Sequence, residues 1–377
     1  MKKQISRRTC VGGAAAAAAV AKPVVTARSY TRFVGAYDRI IIGFLGCGSR
    51  SRGHRRMVEL SFKDKNLGVV AVCDLWSVNR TRAAEDCRKK FNADVKQFQY
   101  SEEMLAMPEL DAVMIATGDH QHGILLAETV KAGKDCYVEK PMALDVEEAK
   151  FARQAVLNSS QVVQNGSQWL SDPYYIKLRE IIRSGKIGQV TKIEQVWNDN
   201  NHRWHTPNDP DVEAMREEAT DWNRWLLNRP YRPFNPRAYF EFRIFRDFSG
   251  GITSEWLSHG IGLVHFLTDT AIPDSMVANG GIFGWPDIRQ NPDTFQSLAT
   301  YEDSKLLYSF SSSYANRFGD YNCIRGKEAT LYGQGGEGTP RWFLIPEVPG
   351  DGLHFYGGFE EAVKKGAAEV VTIEGND

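Results

Sequence analysis

The hydrophobic positions in the first half of the chain form short uninterrupted runs, separated by segments with helical spacing. Uninterrupted runs such as 68–74 and 110–117 are typical of strands in a parallel sheet that is covered on both faces. Strands that alternate with helices in this rhythm predict a doubly wound α/β sheet. The predicted strands cover 39–42, 68–74, 95–98, 110–117, 135–139 and 161–165. The predicted helices begin near Arg50 and cover 80–91, 101–107, a segment that ends near Lys131, and 146–157.

The second half of the chain changes to alternating apolar and polar positions. The segment 190–197 alternates like a half-buried strand, and later segments follow the same pattern. This alternation predicts an antiparallel sheet with one face on a core. Two helices are expected beside it, one from Asp172 to Gly185 and one over 253–268. The later predicted strands cover 275–283, 294–300, 305–312, 321–325 and 329–333.

Length and composition fit two globular domains. The chain has 377 residues, of which 42% are hydrophobic and 25% charged, so it is long enough for two cores. We expect a nucleotide-binding domain at 38–165 and a substrate-binding α/β domain at 166–377. Beyond the N-terminus no apolar run is long enough to span a bilayer, so no membrane partner is expected.

Charge and cysteine usage exclude several classes of protein. Without residues 1–27, 41 Lys and Arg stand against 47 Asp and Glu, and no basic block indicates nucleic acid or anionic lipid as a partner. Five cysteines remain beyond residue 27 without a CxxC pair, which argues against a disulfide scaffold and structural zinc. Cys47, Cys73 and Cys136 fall in or beside predicted buried strands, where Cys behaves as a small hydrophobe.

The N-terminus has the pattern of an export signal. The pair Arg7–Arg8 precedes a weakly hydrophobic segment that contains six consecutive alanines. This pattern predicts a twin-arginine (Tat) signal at 1–27, cleaved after Ala27, and a periplasmic or secreted protein. A disordered basic tail is the alternative.

A glycine loop follows the first predicted strand directly. Gly46 allows a sharp turn, and Gly48 leaves the backbone open to a pyrophosphate at the start of a helix. Ser51 occupies the third glycine position, and Asp74 follows it by 23 residues, where an acid binds the ribose of NAD and repels the 2′-phosphate of NADP. In the alternative reading, Asp74 only caps the next helix. The residues predicted to bind NAD are Gly46, Gly48, Ser49, Arg50, Asp74, Thr117, His120, Glu139 and Lys140.

Three segments together make the sequence resemble the Gfo/Idh/MocA family, the group of glucose–fructose oxidoreductase, inositol dehydrogenase and MocA-like proteins. The first is the glycine loop with its strand-end acid. The second is 115–122 followed by 137–141, which contains the Glu-Lys-Pro signature of this family. The third, 249–259, is similar to the family's Gly-Gly…Asp-x-x-x-His segment. The likeness covers 38–335.

The resemblance implies a Rossmann domain followed by a larger α/β domain with an open, mostly antiparallel sheet. It also implies tightly held NAD(P) and substrates that are usually sugars, cyclitols or their derivatives. Relatives that act on sugars outside the cytoplasm are exported, which fits the predicted signal. Open sheets of this kind often pair face to face in the family, so a homo-oligomer is a further expectation.

The sequence departs from the family pattern at two places. Glu255 stands where the family usually has Asp, which keeps the charge and lengthens the side chain. The chain ends at Asp377 without the final helical segment that such proteins generally have, so we expect a shortened member.

Three residues are predicted to be catalytic. Hydride transfer from an alcohol requires a base for the hydroxyl proton, and His259 has the suitable side chain. Glu255, four residues earlier on the predicted helix, is expected to orient its imidazole. Lys140 is expected to hold the alcohol oxygen by charge. The alternatives are an ordinary helix surface pair and a surface lysine before a Pro turn.

The polar and aromatic segment 198–205 is too long for a simple turn, and long loops often carry function. Its flat rings and amides suit a sugar, although a surface loop without a ligand is an equal alternative. His202 and His205 lack further ligands nearby, so no metal is expected. The residues predicted to bind the substrate are Trp169, Asn198, His202, Trp204, His205 and Arg243.

The leading hypothesis is therefore an exported NAD-dependent oxidoreductase that acts on a hydroxyl of a sugar, glycoside or cyclitol. A glycosidase that uses tightly bound NAD for transient oxidation and elimination needs the same residues plus a base for the C2 proton, such as a histidine of the 198–205 loop, and remains an alternative. The shortened C-terminus favours a third reading, a non-catalytic sugar-binding protein.

Overall fold

The computed structural model describes residues 39–335, 341–347 and 359–372. The predicted export signal at 1–27 and the last residues of the chain lie outside these ranges. Within them, no helix combines the length and the hydrophobicity needed to cross a bilayer.

The first half forms the predicted doubly wound sheet. Its six strands are β1 (Ile40–Leu45), β2 (Leu67–Cys73), β3 (Lys96–Phe98), β4 (Ala112–Ile115), β5 (Asp135–Val138) and β6 (Val163–Asn165). Its helices are α1 (Ser49–Ser61), α2 (Ser77–Phe91), α3 (Ser101–Leu105), α4 (His122–Lys131) and α5 (Val146–Leu157). All strand pairs are parallel in the order β3-β2-β1-β4-β5-β6, which is the Rossmann order.

The central strands of the first sheet are uninterrupted runs of hydrophobic residues, as expected for strands that are covered on both faces. Phe44 of β1, Val113 of β4 and Val138 of β5 are fully buried, because helices cover both faces of the sheet. Parallel strands bring all their carboxyl ends to one edge. Gly46, Asp74, Thr117 and Lys140 follow four of these strands and so meet at that edge.

The second sheet contains nine strands and is mostly antiparallel, as predicted. The strands are β7 (Val190–Asn200), β8 (Ser275–Gly281), β9 (Thr294–Tyr301), β10 (Leu306–Ser313), β11 (Ala315–Asn316), β12 (Tyr321–Gly326), β13 (Ala329–Gln334), β14 (Arg341–Pro346) and β15 (Glu369–Val370). Their order is β15-β14-β13-β12-β7-β10-β9-β8, with β11 beside β7. The pair of β7 and β10 is parallel.

One face of this sheet packs on the helices α6 (Pro173–Arg183) and α10 (Ser258–Thr268). Ile193 and Trp197 of β7 face the core and are buried, whereas Glu194 and Val196 on the other face are partly exposed, as the alternation predicts. Asp172 caps α6 by accepting a hydrogen bond from the Tyr174 amide, and Pro173 occupies its first turn. The core of the second half therefore lies between this sheet and these two helices.

A long segment between β7 and α10 crosses to the first sheet. It contains α7 (Pro210–Ala214), α8 (Trp222–Leu226) and α9 (Pro236–Phe240). A bidentate ion pair joins Asp211 to Arg82 on α2, at 2.5 and 3.0 Å. Arg229 forms a second ion pair with Glu148 on α5, at 2.6 Å. These contacts hold the segment over the carboxyl edge of the first sheet.

Several features differ from the sequence prediction, and two of them concern the second sheet and its helix. The helix expected over 253–268 begins with a π-helical turn at Thr253–Leu257 before it continues as α10. The strand β14 was not predicted, although its consecutive apolar residues have the pattern of a strand that is buried on both faces. Both of its faces are buried, one against the core of the second sheet and the other against α11 (Phe359–Lys364).

The turn from β1 to α1 depends on Gly46. Its φ of +80° lies in the left-handed region, and a Cβ there would stand 2.6 Å from the carbonyl oxygen of Ala116. Gly133 has a similar φ of +76° but nothing within 4 Å of a Cβ. A comparison of substitutions at these two positions therefore separates the effect of backbone strain from the effect of a steric clash.

We predict that Gly46→Ala lowers the free energy of unfolding by at least about 3 kcal/mol, because strain and clash add. In the matched control Gly133→Ala only the backbone strain applies, so its free energy of unfolding should fall by about 1–2 kcal/mol. Urea unfolding of both variants measures the difference. Equal losses would show that the close approach of Gly46 to Ala116 does not limit this turn.

Candidate active site

The glycine loop leaves room for an anion at the start of α1. Gly48 is the N-cap of the helix, no side chain caps it among the described residues, and its first turn contains no acidic residue. A Cβ on Gly48 would meet nothing within 4 Å, so the backbone faces open space. Free N–H groups and the positive end of the helix dipole point into this space. The loop therefore fits a pyrophosphate.

Asp74 at the end of β2 supports the same loop. Its carboxylate accepts hydrogen bonds from the amides of Cys47 at 2.7 Å and Trp76 at 2.9 Å, and from the Tyr239 hydroxyl at 3.1 Å. Burial raises the pKa of Asp74, and these donors act against that rise. Asp74 thus ties the loop to α9 and caps the turn before α2, while its side chain still lines the cleft described next.

A cleft of about 460 Å³ runs along the carboxyl edge, between the first sheet and the segment that crosses it. Gly46, Gly48, Ser49, Arg50, Asp74 and Thr117 of the predicted cofactor set line it. The Thr117 hydroxyl is buried and has no hydrogen-bond partner among the described residues, so it is available to a ligand. The open cradle, the uncapped helix and this hydroxyl fit a dinucleotide.

His120 does not belong to this cleft, so its prediction as a cofactor ligand is wrong. Its imidazole is fully buried and lies 2.8 Å from the Trp225 carbonyl oxygen, against the rings of Trp225 and Phe248. The 3-10 turn Asp119–Gln121 directs the side chain away from the sheet edge. Burial lowers the pKa of His120 to about 3, so this histidine is a neutral core residue.

A second pocket of about 170 Å³ continues from the cleft. Thr117, Trp204 and Arg243 line both cavities, so the two are adjacent. Lys140, Glu255 and His259 line the second pocket together, although more than 110 residues separate Lys140 from the other two. The three predicted catalytic residues therefore meet at the end of the cofactor cleft.

The centre of this pocket is a buried charge cluster. The Lys140 ammonium lies 2.7 Å from Glu255 Oε2, and the Arg243 guanidinium lies 2.9 Å from the same oxygen. These two cations lower the pKa of Glu255 against the effect of burial. Glu255 is thus an ionised carboxylate shared by two cations.

The prediction that Glu255 orients the His259 imidazole is wrong. Because Thr253–Leu257 is π-helical, the two residues are not related by a regular α-helical turn, and the carboxylate faces Lys140 and Arg243. The imidazole instead stacks on Trp169, with ring centres 4.5 Å apart. Burial and the charge of Lys140 lower the pKa of His259 to about 4. His259 is therefore a neutral base at neutral pH.

Trp169 and Glu139 support the site from behind. Trp169 was predicted to bind the substrate. Its ring stacks on His259 and contacts Trp197 edge-on, so it packs behind the pocket as part of the core. Glu139, predicted to bind the cofactor, accepts hydrogen bonds from Arg50 and His54, both at 2.7 Å. It lines the second pocket and fixes Arg50 where the two cavities meet.

The loop at 198–205 only partly agrees with its prediction. Asn198 is used within the sheet, where its side chain bonds to Phe318 and Ser313. The His202 ring packs on Trp285, and the His205 ring lies 3.1 Å from Glu241. These three residues do not line either cavity, so the structure does not bring them to the site with the other predicted substrate residues.

The backbone conformation of Trp204 explains why His202 and His205 lie outside the two cavities. Its φ is +65°, and the loop closes through a hydrogen bond from the His205 amide to the His202 carbonyl oxygen. This turn directs both histidines away and leaves Trp204 between the two cavities. A strained non-glycine residue at such a position is typical of functional sites. Trp204 and Arg243 are thus the predicted substrate residues that do line the pocket.

Sequence reasoning missed several lining residues. Arg203 stacks over Trp256, with its guanidinium carbon 4.8 Å from the ring centre, and pairs with Asp199 at 2.8 Å. The neighbouring Trp204 was the only available signal for it. The missed residues that line the second pocket are His122, Gln168, Arg203 and Trp256.

Comparison with known proteins agrees with this geometry. Residues 40–167 match the profile of the Gfo/Idh/MocA oxidoreductases, described as an oxidoreductase family with an NAD-binding Rossmann fold. Inositol 2-dehydrogenase of Agrobacterium fabrum is 29% identical over 196 residues, which are 50% of this chain and 55% of that protein. The chain thus spans about half the length of this relative.

Solved structures extend the likeness in fold to the second half. Levoglucosan dehydrogenase in complex with NADH and levoglucosan superposes with a TM-score of 0.64 at 15% identity, over 89% of this chain and 80% of that one. The WlbA dehydrogenase of Bordetella pertussis, in complex with NADH and UDP-GlcNAcA, gives 0.59 at 18% identity, over 78% and 79%. Residues 40–167 are thus similar to the NAD-binding Rossmann domain of the Gfo/Idh/MocA oxidoreductases.

Proposed function

We propose that this protein is an NAD-dependent dehydrogenase that oxidises a hydroxyl group of a sugar, glycoside or cyclitol. The observation that carries the proposal is the adjacency of the dinucleotide cleft to the pocket that holds Lys140, Glu255 and His259. The similarity to inositol 2-dehydrogenase and to levoglucosan dehydrogenase supports this class of substrate.

Bound NAD⁺ supplies the hydride acceptor. The pyrophosphate fits at Gly48 and the start of α1, and the buried carboxylate of Asp74 disfavours a 2′-phosphate, so NAD is preferred over NADP. The crossing segment covers the cleft and is tied to the first half by the ion pair of Arg82 with Asp211.

His259 takes the hydroxyl proton of the substrate. Its imidazole is neutral at neutral pH, because burial and the charge of Lys140 disfavour its protonated form. A base with a low pKa accepts a proton only if the proton donor is made more acidic. Lys140 lines the same pocket and provides that effect, since its positive charge favours the alkoxide form of the hydroxyl.

Arg243 and Glu255 set the charge around Lys140. Arg243 contributes a second positive charge to the oxygen site, and Glu255 fixes the direction of both cations through Oε2. The ring of Trp204 offers a flat surface to the apolar face of a sugar, and Gln168 and Arg203 offer donors to its hydroxyls. The pocket therefore combines an aromatic wall with polar groups, as carbohydrate recognition requires.

We also propose that the protein is exported by the Tat route through residues 1–27 and acts in the periplasm or outside the cell. The twin-arginine pair and the alanine-rich segment support this. Fractionation of cells that express the full chain and an Arg7→Lys, Arg8→Lys variant tests it, because only the first should leave the cytoplasm.

A panel of sugars, glycosides and cyclitols incubated with NAD⁺ tests the proposed activity. We expect one class to produce NADH in stoichiometric amounts, measured by absorbance. Lys140→Ala should lower kcat/KM by about 10²-fold or more, because it removes the charge at the oxygen. Lys150→Ala, which changes an exposed lysine on α5, is the matched control and should stay at the wild-type value.

Two outcomes would contradict the proposal. Release of an aglycone without net NADH would indicate the glycosidase reading of the same residues. Binding of sugar with no turnover, unchanged in Lys140→Ala and His259→Ala, would indicate a non-catalytic binding protein.

The pH dependence of alcohol oxidation tests the role of His259. Because its pKa is lowered to about 4, the imidazole stays in its basic form throughout the neutral range. We predict that kcat/KM is maintained down to about pH 5 and falls as pH decreases through about 4. An acidic limb near pH 6.5, as for an exposed histidine, would be inconsistent with this buried base.

A further inference from the structure

Asp119 is a buried acid that the proposed function does not use. It lies at the start of the 3-10 turn after β4 and is 1% exposed. Its Oδ2 accepts hydrogen bonds from the hydroxyls of Ser249 at 2.6 Å and Ser254 at 3.2 Å. Among the described residues, no lysine or arginine comes within salt-bridge distance of it. An ionised carboxylate buried without a cation is costly.

The neighbour of Asp119 is Glu255. Oε2 of Glu255 is shared by Lys140 and Arg243, whereas Oε1 is buried and has no donor among the described residues. Asp119 is close enough to the Glu255 carboxylate for a hydrogen bond between the two side chains to lower the pKa of Glu255. Two carboxylates form such a bond only if one of them carries a proton.

The surrounding charges decide which carboxylate carries the proton. Lys140 at the end of β5 and Arg243 on the crossing segment both contact Glu255 directly, and they lower its pKa. Burial and the negative charge of Glu255 raise the pKa of Asp119, more than Arg243 and Lys140 lower it. Both causes place the proton on Asp119.

We propose that Asp119 is a positioning residue that stays protonated in the folded protein and donates a hydrogen bond to Glu255. This bond fixes the Glu255 carboxylate, which in turn holds the Lys140 ammonium at 2.7 Å. With Asp119 neutral, the cluster of Lys140, Arg243, Glu255 and Asp119 has one net positive charge. That charge suits an oxygen that becomes an alkoxide in the pocket.

Infrared spectroscopy of the carboxyl groups tests the protonation directly. At neutral pH we expect the carbonyl stretch of a protonated carboxylic acid in the wild-type protein, shifted in D₂O and missing from Asp119→Asn. Asp64→Asn, which changes an exposed aspartate after α1, is the matched control and should keep the band. An identical spectrum of wild type and Asp119→Asn in this region would overturn the proposal.

Stability as a function of pH provides a second readout. Unfolded Asp119 has lost its proton at neutral pH while the folded form keeps it, so unfolding releases a proton and stability falls as pH rises. The Asn side chain keeps the hydrogen bond without titrating. From pH 6 to pH 9, the wild-type Tm should therefore fall by about 2 °C more than that of Asp119→Asn. Parallel profiles would contradict a proton on Asp119.

If Asp119→Asn does not fold, Glu255→Gln decides the question. Removal of the negative charge leaves Asp119 facing two cations and an amide donor, so the acid band should disappear although Asp119 is present. Persistence of the band would assign it to another group. The proposal relies on the proposed function only for the role of Lys140, and none of these readouts requires turnover.

Discussion

The ion pair of Lys140 with Glu255 is the contact on which the site depends. It joins the carboxyl edge of the first sheet to the π-helical turn before α10, across 115 positions of the chain. Both side chains are largely buried, and buried charges are tolerated only when each finds a partner. The pair is therefore a constraint that brings the two halves together at the end of the cofactor cleft.

The rest of the cluster follows from that constraint. Lys140 and Arg243 both contact one oxygen of Glu255, which leaves the second oxygen without a cation. In the proposed arrangement Asp119, on the 3-10 turn after β4, donates a hydrogen bond to Glu255. Burial, and then the charge of Lys140, lowers the pKa of His259, so burial underlies both the neutral base and the neutral acid of the pocket. The crossing segment contributes Trp204 and Arg243 and covers the site.

The sequence was informative where local pattern determines structure. Strand periodicity predicted both sheets, and the glycine loop with the Glu-Lys-Pro signature led to Lys140. Helical spacing placed Glu255 and His259 near each other but not their partners, because the π-helical turn changes the direction of Glu255. His202 was misplaced, since the left-handed φ of Trp204 is a tertiary property of that loop. Contacts between distant segments, such as Asp119 with Glu255, leave no periodic signal.

A crystal structure of the protein with NADH tests the central claim most directly. The account predicts that the pyrophosphate lies on the amides at the start of α1 and that the nicotinamide ring reaches the space bounded by Thr117, Lys140 and His259. A nucleotide bound in the opposite direction, or a ring separated from Lys140 and His259 by protein, would contradict it.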